Sequence, residues 1–147
     1  MSIQERLTEA MKMAMKARDS LRLNTIRMAR TALQNAKIEA RQELDEAAAI
    51  KVLSTLVKQR REAAEAYRQT RPDLAEKEEQ ELAILQEFLP APLTEAELAD
   101  IISAAMTETG ASSMREMGAV MKQVTARTTG RADGKKVSEM VRQRLSG

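Results

Sequence analysis

The segment Ser113–Leu145 reads SMREMGAVMKQVTARTTGRADGKKVSEMVRQRL and carries a clear helical pattern. Its apolar residues recur at intervals of three and four, which predicts two short helices. Gly130 ends the first helix, and Asp133 caps the start of the second. Each helix carries two basic residues seven positions apart on its polar side: Arg115 and Lys122 on the first, Lys135 and Arg142 on the second.

A third helix precedes this segment and completes a small tail domain. Thr94 and Glu97 have the spacing of a capping box, and Gly110 is placed to end the helix in a left-handed conformation. We therefore predict a three-helix tail domain over residues 93–147. Its methionines are interpreted as core filler, because a flexible thioether packs well in a small apolar core.

The composition extends the all-α prediction to the whole chain. The 147 residues include only three prolines and five glycines, and 43% are hydrophobic. No run of residues alternates with a period of two, as a half-buried strand would. With 1% aromatic residues, the core must be built from aliphatic side chains and methionine.

The same composition excludes several kinds of chemistry. The chain has no Cys and no His, so disulfides, thiol catalysis and the commonest proton shuttle are absent. We predict no catalytic residues, no metal site and no cofactor. No segment is long and apolar enough for a membrane helix, and the charged N-terminus does not resemble a signal peptide. We therefore expect a cytoplasmic protein without a membrane partner.

Residues 1–90 are predicted to form an N-terminal antiparallel domain of about four helices. Ser2, Asp19, Asp45 and Asp73 are the predicted caps, and two prolines in Pro90-Ala91-Pro92 stop the last helix. Arg60 projects into the apolar face of the third helix. Because a buried Arg needs a partner, we expect it to pair with the acid-rich fourth helix.

Charge is unevenly distributed along the chain. Residues 1–41 hold nine basic and four acidic residues, residues 73–108 hold one and ten, and residues 109–147 hold eight and three. One face of the second helix carries cations without an acid. It is either a solvated face or a stripe that contacts phosphates, and its cations are Arg27, Arg30, Lys37 and Arg41.

Several short motifs, in this order and spacing, resemble the YqeY family over nearly the whole length. They are Met15-Lys16-Ala17-Arg18-Asp19 continuing to Arg27, then Lys58-Gln59-Arg60, Arg71-Pro72-Asp73-Leu74, Phe88-Leu89-Pro90, Met117-Gly118-Ala119-Val120-Met121 and Gly130-Arg131-Ala132-Asp133-Gly134. The last third is similar to the tail domain of the B subunit of tRNA-dependent amidotransferases. That resemblance implies an N-terminal helical domain joined to a tail that binds tRNA. The amidase and activation sites of those enzymes lie outside the matched part.

Three functional hypotheses follow. The first is an accessory protein that binds tRNA or another structured RNA, without catalysis of its own. An amidotransferase or an aminoacyl-tRNA synthetase component is its candidate protein partner. The second is an amidotransferase-associated activity, a carbon–nitrogen ligase with glutamine as amido-N-donor. The third is a protein-interaction module. The candidate RNA-binding residues are Arg115, Lys122, Arg131, Lys135, Lys136 and Arg142 in the tail, with Arg27, Arg30, Lys37 and Arg41 as a second surface.

Overall fold

A computed structural model describes residues 1–146 and confirms the all-α prediction. This part of the chain holds seven α-helices, one short 3-10 helix and no strand. The helices are α1 Ile3–Ala17, α2 Ser20–Ala40, α3 Glu46–Tyr67, α4 Pro72–Gln86, α5 Glu95–Thr109, α6 Met117–Thr128 and α7 Gly134–Ser146, with the 3-10 helix at Met114–Glu116.

The chain divides into two compact units, unit 1 over Met1–Pro90 and unit 2 over Ala91–Gly147. In unit 1, α1 packs on α2 and α3 on α4, and α2 also contacts both α3 and α4. Short connections between packed neighbours produce helical hairpins. The core is aliphatic apart from Phe88, and its fully buried larger side chains are Ile3, Leu7, Ile26, Leu53 and Leu85.

Three of the four predicted caps of unit 1 are confirmed. The side chains of Ser2, Asp19 and Asp45 each accept a hydrogen bond from the N–H three residues on, at 3.1, 3.1 and 2.8 Å. These bonds satisfy donors that a helix start otherwise leaves free. They explain why α1, α2 and α3 begin where the sequence predicts.

The prediction that Asp73 caps α4 is wrong. The helix begins two residues earlier than that cap implies, at Pro72, with Arg71 as its N-cap and no capping bond from a side chain. Pro suits the first helical position because its ring fixes φ and the missing N–H has no partner there. Asp73 instead accepts two hydrogen bonds from Arg71, and this lowers the pKa of its carboxyl.

The expected pairing of Arg60 is confirmed. Its guanidinium lies between two carboxylates of α4, 3.4 Å from Glu78 and 3.3 Å from Glu81. The same guanidinium donates to the sulfur of Met28 on α2, at 2.7 Å. One side chain of α3 therefore links three helices of unit 1.

Two arginines connect the end of α4 to the first two helices. Arg6 of α1 donates to the backbone oxygens of Glu87 and Phe88, at 2.8 and 3.4 Å, and lies over the Phe88 ring. Arg22 of α2 makes a bidentate pair with the Glu87 carboxylate, at 2.7 and 3.1 Å. Cations at this position satisfy carbonyls that the helix end leaves free.

Unit 2 is a three-helix bundle in which α6 contacts both α5 and α7. The predicted capping box at its start is confirmed, because Thr94 and Glu97 exchange side-chain bonds to each other's N–H at 3.1 and 3.2 Å. Gly110 ends α5 with φ of 67°, as predicted. The core is formed by Leu98, Ile102, Ala105, Val120, Val124, Val137, Val141 and Leu145.

Between α5 and α6 the chain differs from the prediction of one continuous helix from Ser113. Residues Met114–Glu116 form a 3-10 turn, and the α-helix begins only at Met117. The Glu116 carboxylate accepts from the N–H groups of Ser112 and Ser113 at the start of this turn. The tighter turn is a common form for a helix start.

The turn before α7 follows the prediction closely. Gly130 adopts a φ of 82° directly after α6, a conformation that favours glycine. The Asp133 carboxylate accepts from the N–H of Lys135 at 3.2 Å and caps α7. The turn is held to the start of the unit by a 2.7 Å hydrogen bond from the N–H of Leu93 to the carbonyl of Arg131.

Candidate nucleic-acid interface

The basic residues of unit 2 fall into two groups. Four are exposed, and within residues 1–146 their side chains have no hydrogen bond or ion pair. We call these four the tail surface: Arg115, Lys122, Lys135 and Arg142. On α6, Lys122 projects away from the buried residues Val120 and Val124. These cations add nothing to the packing of the unit, so they are available to an anion.

The other basic residues of unit 2 are engaged within it. Arg131 donates to the carbonyl of Ala91 at 3.0 Å, and Lys136 pairs with Glu95 at 2.6 Å. The Lys136 bond lowers the pKa of the Glu95 carboxyl below its usual value. Both residues were predicted as RNA contacts, and each has a partner within the unit. Arg127 and Arg144 are engaged as well, with Glu108 and Ser103.

One acidic residue near the tail surface was missed in the sequence. Glu139 is exposed and lies four residues after Lys135 and three before Arg142 on α7. Residues at those intervals are neighbours on a helix, so its carboxylate opposes the attraction of both cations for phosphate. The spacing alone was enough to find it.

In unit 1, three of the predicted cations, Arg27, Arg30 and Lys37, lie on α2, and Arg41 follows the end of that helix in a left-handed conformation. We call Arg27, Arg30, Lys37 and Arg41 the α2 stripe. Arg27 and Arg41 are exposed, and their side chains have no partner within residues 1–146. Arg30 donates to the sulfur of Met11 at 2.9 Å, and Lys37 pairs with Glu43 at 2.5 Å. From Arg27 to Lys37 the helical part of the stripe extends about 15 Å, at 1.5 Å per residue.

A groove of about 650 Å³ runs beside the α2 stripe. Three cations of the stripe line it, and Arg41 does not. Leu33 and Leu44 contribute apolar surface, and polar groups come from Gln4, Thr8, Thr31, Gln34 and Glu43. The sequence did not predict this groove, because its walls come from α1, α2 and the segment before α3. We call it the α2 groove.

The acidic residues of α4 are largely used inside unit 1. Glu78 and Glu81 pair with Arg60, and Glu79 lies 3.3 Å from Arg68. Glu87, just after the helix, pairs with Arg22. Much of the acid-rich segment is therefore paired with cations of unit 1.

Residues 1–146 contain neither a cluster of metal-ligating side chains nor a helix that could cross a membrane. No group of three or more acidic side chains is arranged to hold a metal ion. No helix in this part of the chain combines the length and apolar character needed to span a bilayer.

Comparison with known proteins gives similarity to fungal proteins called altered inheritance of mitochondria protein 41, mitochondrial. The protein from Lachancea thermotolerans is 37% identical over 106 residues, which cover 69% of this chain and 57% of the relative. The protein from Vanderwaltozyma polyspora is 38% identical over 85 residues, 56% of this chain and 46% of the relative. The chain thus spans about half the length of these relatives.

These names contradict our prediction of a cytoplasmic protein, since each of these relatives is called mitochondrial. The absence of a recognisable signal in the first residues was a poor basis for assigning a compartment.

The family assignment rests on a longer match. The profile of the family described as Yqey-like protein aligns with residues 4–145. The resemblance seen in the motifs is therefore confirmed, and the chain belongs to the YqeY family.

Proposed function

We propose that the protein binds a structured RNA through its phosphate backbone, with tRNA as the first candidate. One observation carries the proposal. Unit 2 uses Arg127, Arg131, Lys136 and Arg144 for its own contacts and leaves the four cations of the tail surface exposed and unpartnered within residues 1–146. Cations without a structural role are what phosphate contacts need.

The α2 stripe supports the same function as a second contact area. Three of its cations lie on one face of α2 without an intervening acid, and within residues 1–146 Lys37 is the one cation of the stripe that has an acidic partner. The chain has one Tyr, one Phe and no Trp, and Phe88 is buried, so stacking on several bases is not open to it. Recognition would therefore rest on backbone and shape, as is common for structured RNA.

The choice of tRNA comes from the resemblance of the last third to the amidotransferase tail. An amidotransferase or aminoacyl-tRNA synthetase component remains a proposed partner on the same ground. The names of the fungal relatives make mitochondrial tRNA a sensible first ligand to test beside total tRNA.

The experiment is a titration of tRNA with the purified chain across a salt series. If four phosphates are neutralised, affinity should fall about a hundredfold between 50 and 200 mM salt. The double variant Lys122→Glu/Lys135→Glu should lose most of the affinity and flatten this dependence. The matched control is Lys51→Glu/Lys58→Glu, with the same change of charge on exposed positions of α3.

Binding that is absent at low salt would refute the proposal. Equal losses in both double variants would also refute it, because the tail surface would then act only through net charge. A protein partner that is retained after RNase treatment, with no RNA bound, would favour the protein-interaction hypothesis.

A further inference from the structure

The α2 groove differs from the rest of the basic surface in having walls of mixed chemistry. Its volume of about 650 Å³ lies within the range of small-molecule pockets, about 300–1,000 Å³. A surface of cations alone would attract anions without selecting them by size. Here the cations stand beside apolar and amide-bearing side chains, so the groove can select a ligand by size and polarity.

The two ends of the groove carry different charge. Arg27 and Arg30 lie at one end, and neither has an acidic partner within residues 1–146. At the other end Lys37 is neutralised by Glu43. Arg27 and Lys37 are ten residues apart, which is about 15 Å along the helix. The attraction for a phosphate is therefore concentrated on Arg27 and Arg30.

Between these ends the lining suits a flat, polar-edged ring. Leu33 and Leu44 provide apolar surface, and the amide of Gln34 can both donate and accept hydrogen bonds. The Glu43 carboxylate can accept from an exocyclic amino group or a sugar hydroxyl. The Met11 sulfur is only a weak acceptor for Arg30, so that guanidinium keeps its other donors for a phosphate.

We infer that the α2 groove binds one nucleotide, with its phosphate on Arg27 and Arg30 and its base beside Leu33 and Leu44. The nucleotide is either free or the unpaired end of an RNA. The RNA form rests on the proposed function, whereas the free form does not. A paired nucleotide is excluded from this role, because its base edge is covered by its partner strand.

The test measures binding to the full chain of four probes at one salt concentration: AMP, inorganic phosphate, a 5′-phosphorylated single-stranded RNA, and the same RNA annealed to its complement. We expect AMP or the single strand to bind at least tenfold more tightly than inorganic phosphate. We also expect the single strand to bind more tightly than the duplex.

Two variants of the α2 stripe separate the effect of the groove from that of the general charge. Arg30→Gln removes a cation that lines the groove, and Arg41→Gln removes one on the same stripe that does not. We expect about a tenfold loss for the bound nucleotide with Arg30→Gln and less than twofold with Arg41→Gln. Gln34→Trp, at an exposed position, should block the groove while every cation remains.

Equal losses with Arg30→Gln and Arg41→Gln would overturn the inference, as would unchanged binding in Gln34→Trp, or binding of both AMP and the single strand no tighter than that of inorganic phosphate. Thermal unfolding of each variant shows that it is folded. If tRNA still binds through the tail surface in these cases, the groove inference fails and the proposed function stands. If AMP binds but no RNA does, the groove inference stands and the proposed function fails.

Discussion

The carboxylate of Glu81 lies 3.3 Å from the guanidinium of Arg60, at the contact between α3 and α4. Burial raises the pKa of this carboxyl above its ordinary value, and the neighbouring Glu78 acts in the same direction. Arg60 opposes the shift without cancelling it. Two carboxylates sharing one guanidinium therefore leave Glu81 easier to protonate in the folded chain than in the unfolded one.

The first prediction concerns the pH dependence of stability. Because the folded pKa of Glu81 is raised, the folded state binds more protons than the unfolded state from about 4.5 up to the folded pKa. Its contribution to the unfolding free energy is present below 4.5 and is lost as pH rises through this window. Glu81→Gln removes that titration. We expect the stability of the variant relative to the original chain to rise with pH across the window.

The measurement is urea unfolding of both proteins from below pH 4.5 to neutral pH. Glu76→Gln, at an exposed position on the same helix, is the matched control. If the unfolding free energy of Glu81→Gln minus that of the original chain stays constant or falls as pH rises, the raised pKa of Glu81 is contradicted.

The second prediction concerns Arg60 itself. Arg60→Met keeps the apolar stem but leaves Glu78 and Glu81 facing each other without a cation. We expect a loss of about 2 kcal/mol in unfolding free energy, below the range for fully buried pairs because the Arg60 side chain is 21% exposed. Arg68→Met removes a pair whose side chains are 64% and 55% exposed, and should cost less than about 1 kcal/mol. Similar losses in the two variants would argue against a special role for Arg60.

Helix starts were predictable where the capping signal was local. Ser2, Asp19, Asp45 and Thr94 each bond an N–H within their own first turn, so sequence spacing alone determines the contact. At α4 two local signals competed. The Pro72 ring set the first helical position, and Arg71 engaged the carboxylate of the predicted cap.

Features that depend on several helices were predictable only in part. Arg60 lies on an apolar helix face, so it was expected to need an acidic partner, and the sequence contains one acid-rich helix nearby. The α2 groove needs Thr8 and Leu44 brought beside α2 by packing, and no periodicity encodes that. In the same way, Lys136 and Arg131 looked like free cations because their partners, Glu95 and Ala91, are about forty residues away.

The third prediction uses backbone strain at the end of α1. Arg18 adopts a φ of 55°, in the left-handed region that a Cβ atom disfavours by about 1 kcal/mol. Its N–H closes the helix by bonding the carbonyls of Ala14 and Met15. Arg18→Gly should keep these bonds and remove the strain. The greater freedom of glycine in the unfolded chain offsets part of this gain, so we expect the unfolding free energy to rise by about 0.5 kcal/mol. Arg18→Ala retains the Cβ atom and should show no gain. Equal midpoints of urea unfolding for the two variants would show that strain is not the cause.

The fourth prediction follows from the position of Glu139 between Lys135 and Arg142. Its carboxylate lies on the same exposed side of α7 and repels any phosphate that these cations bind. Glu139→Gln should therefore increase tRNA affinity, by about two- to fivefold at low salt, which corresponds to about 0.5–1 kcal/mol for one nearby charge. The gain should disappear as salt is added, because exposed charges are screened. Glu76→Gln changes net charge by the same amount in unit 1 and is the control. If both variants bind tRNA equally well, the gain reports net charge, and α7 does not contact the RNA.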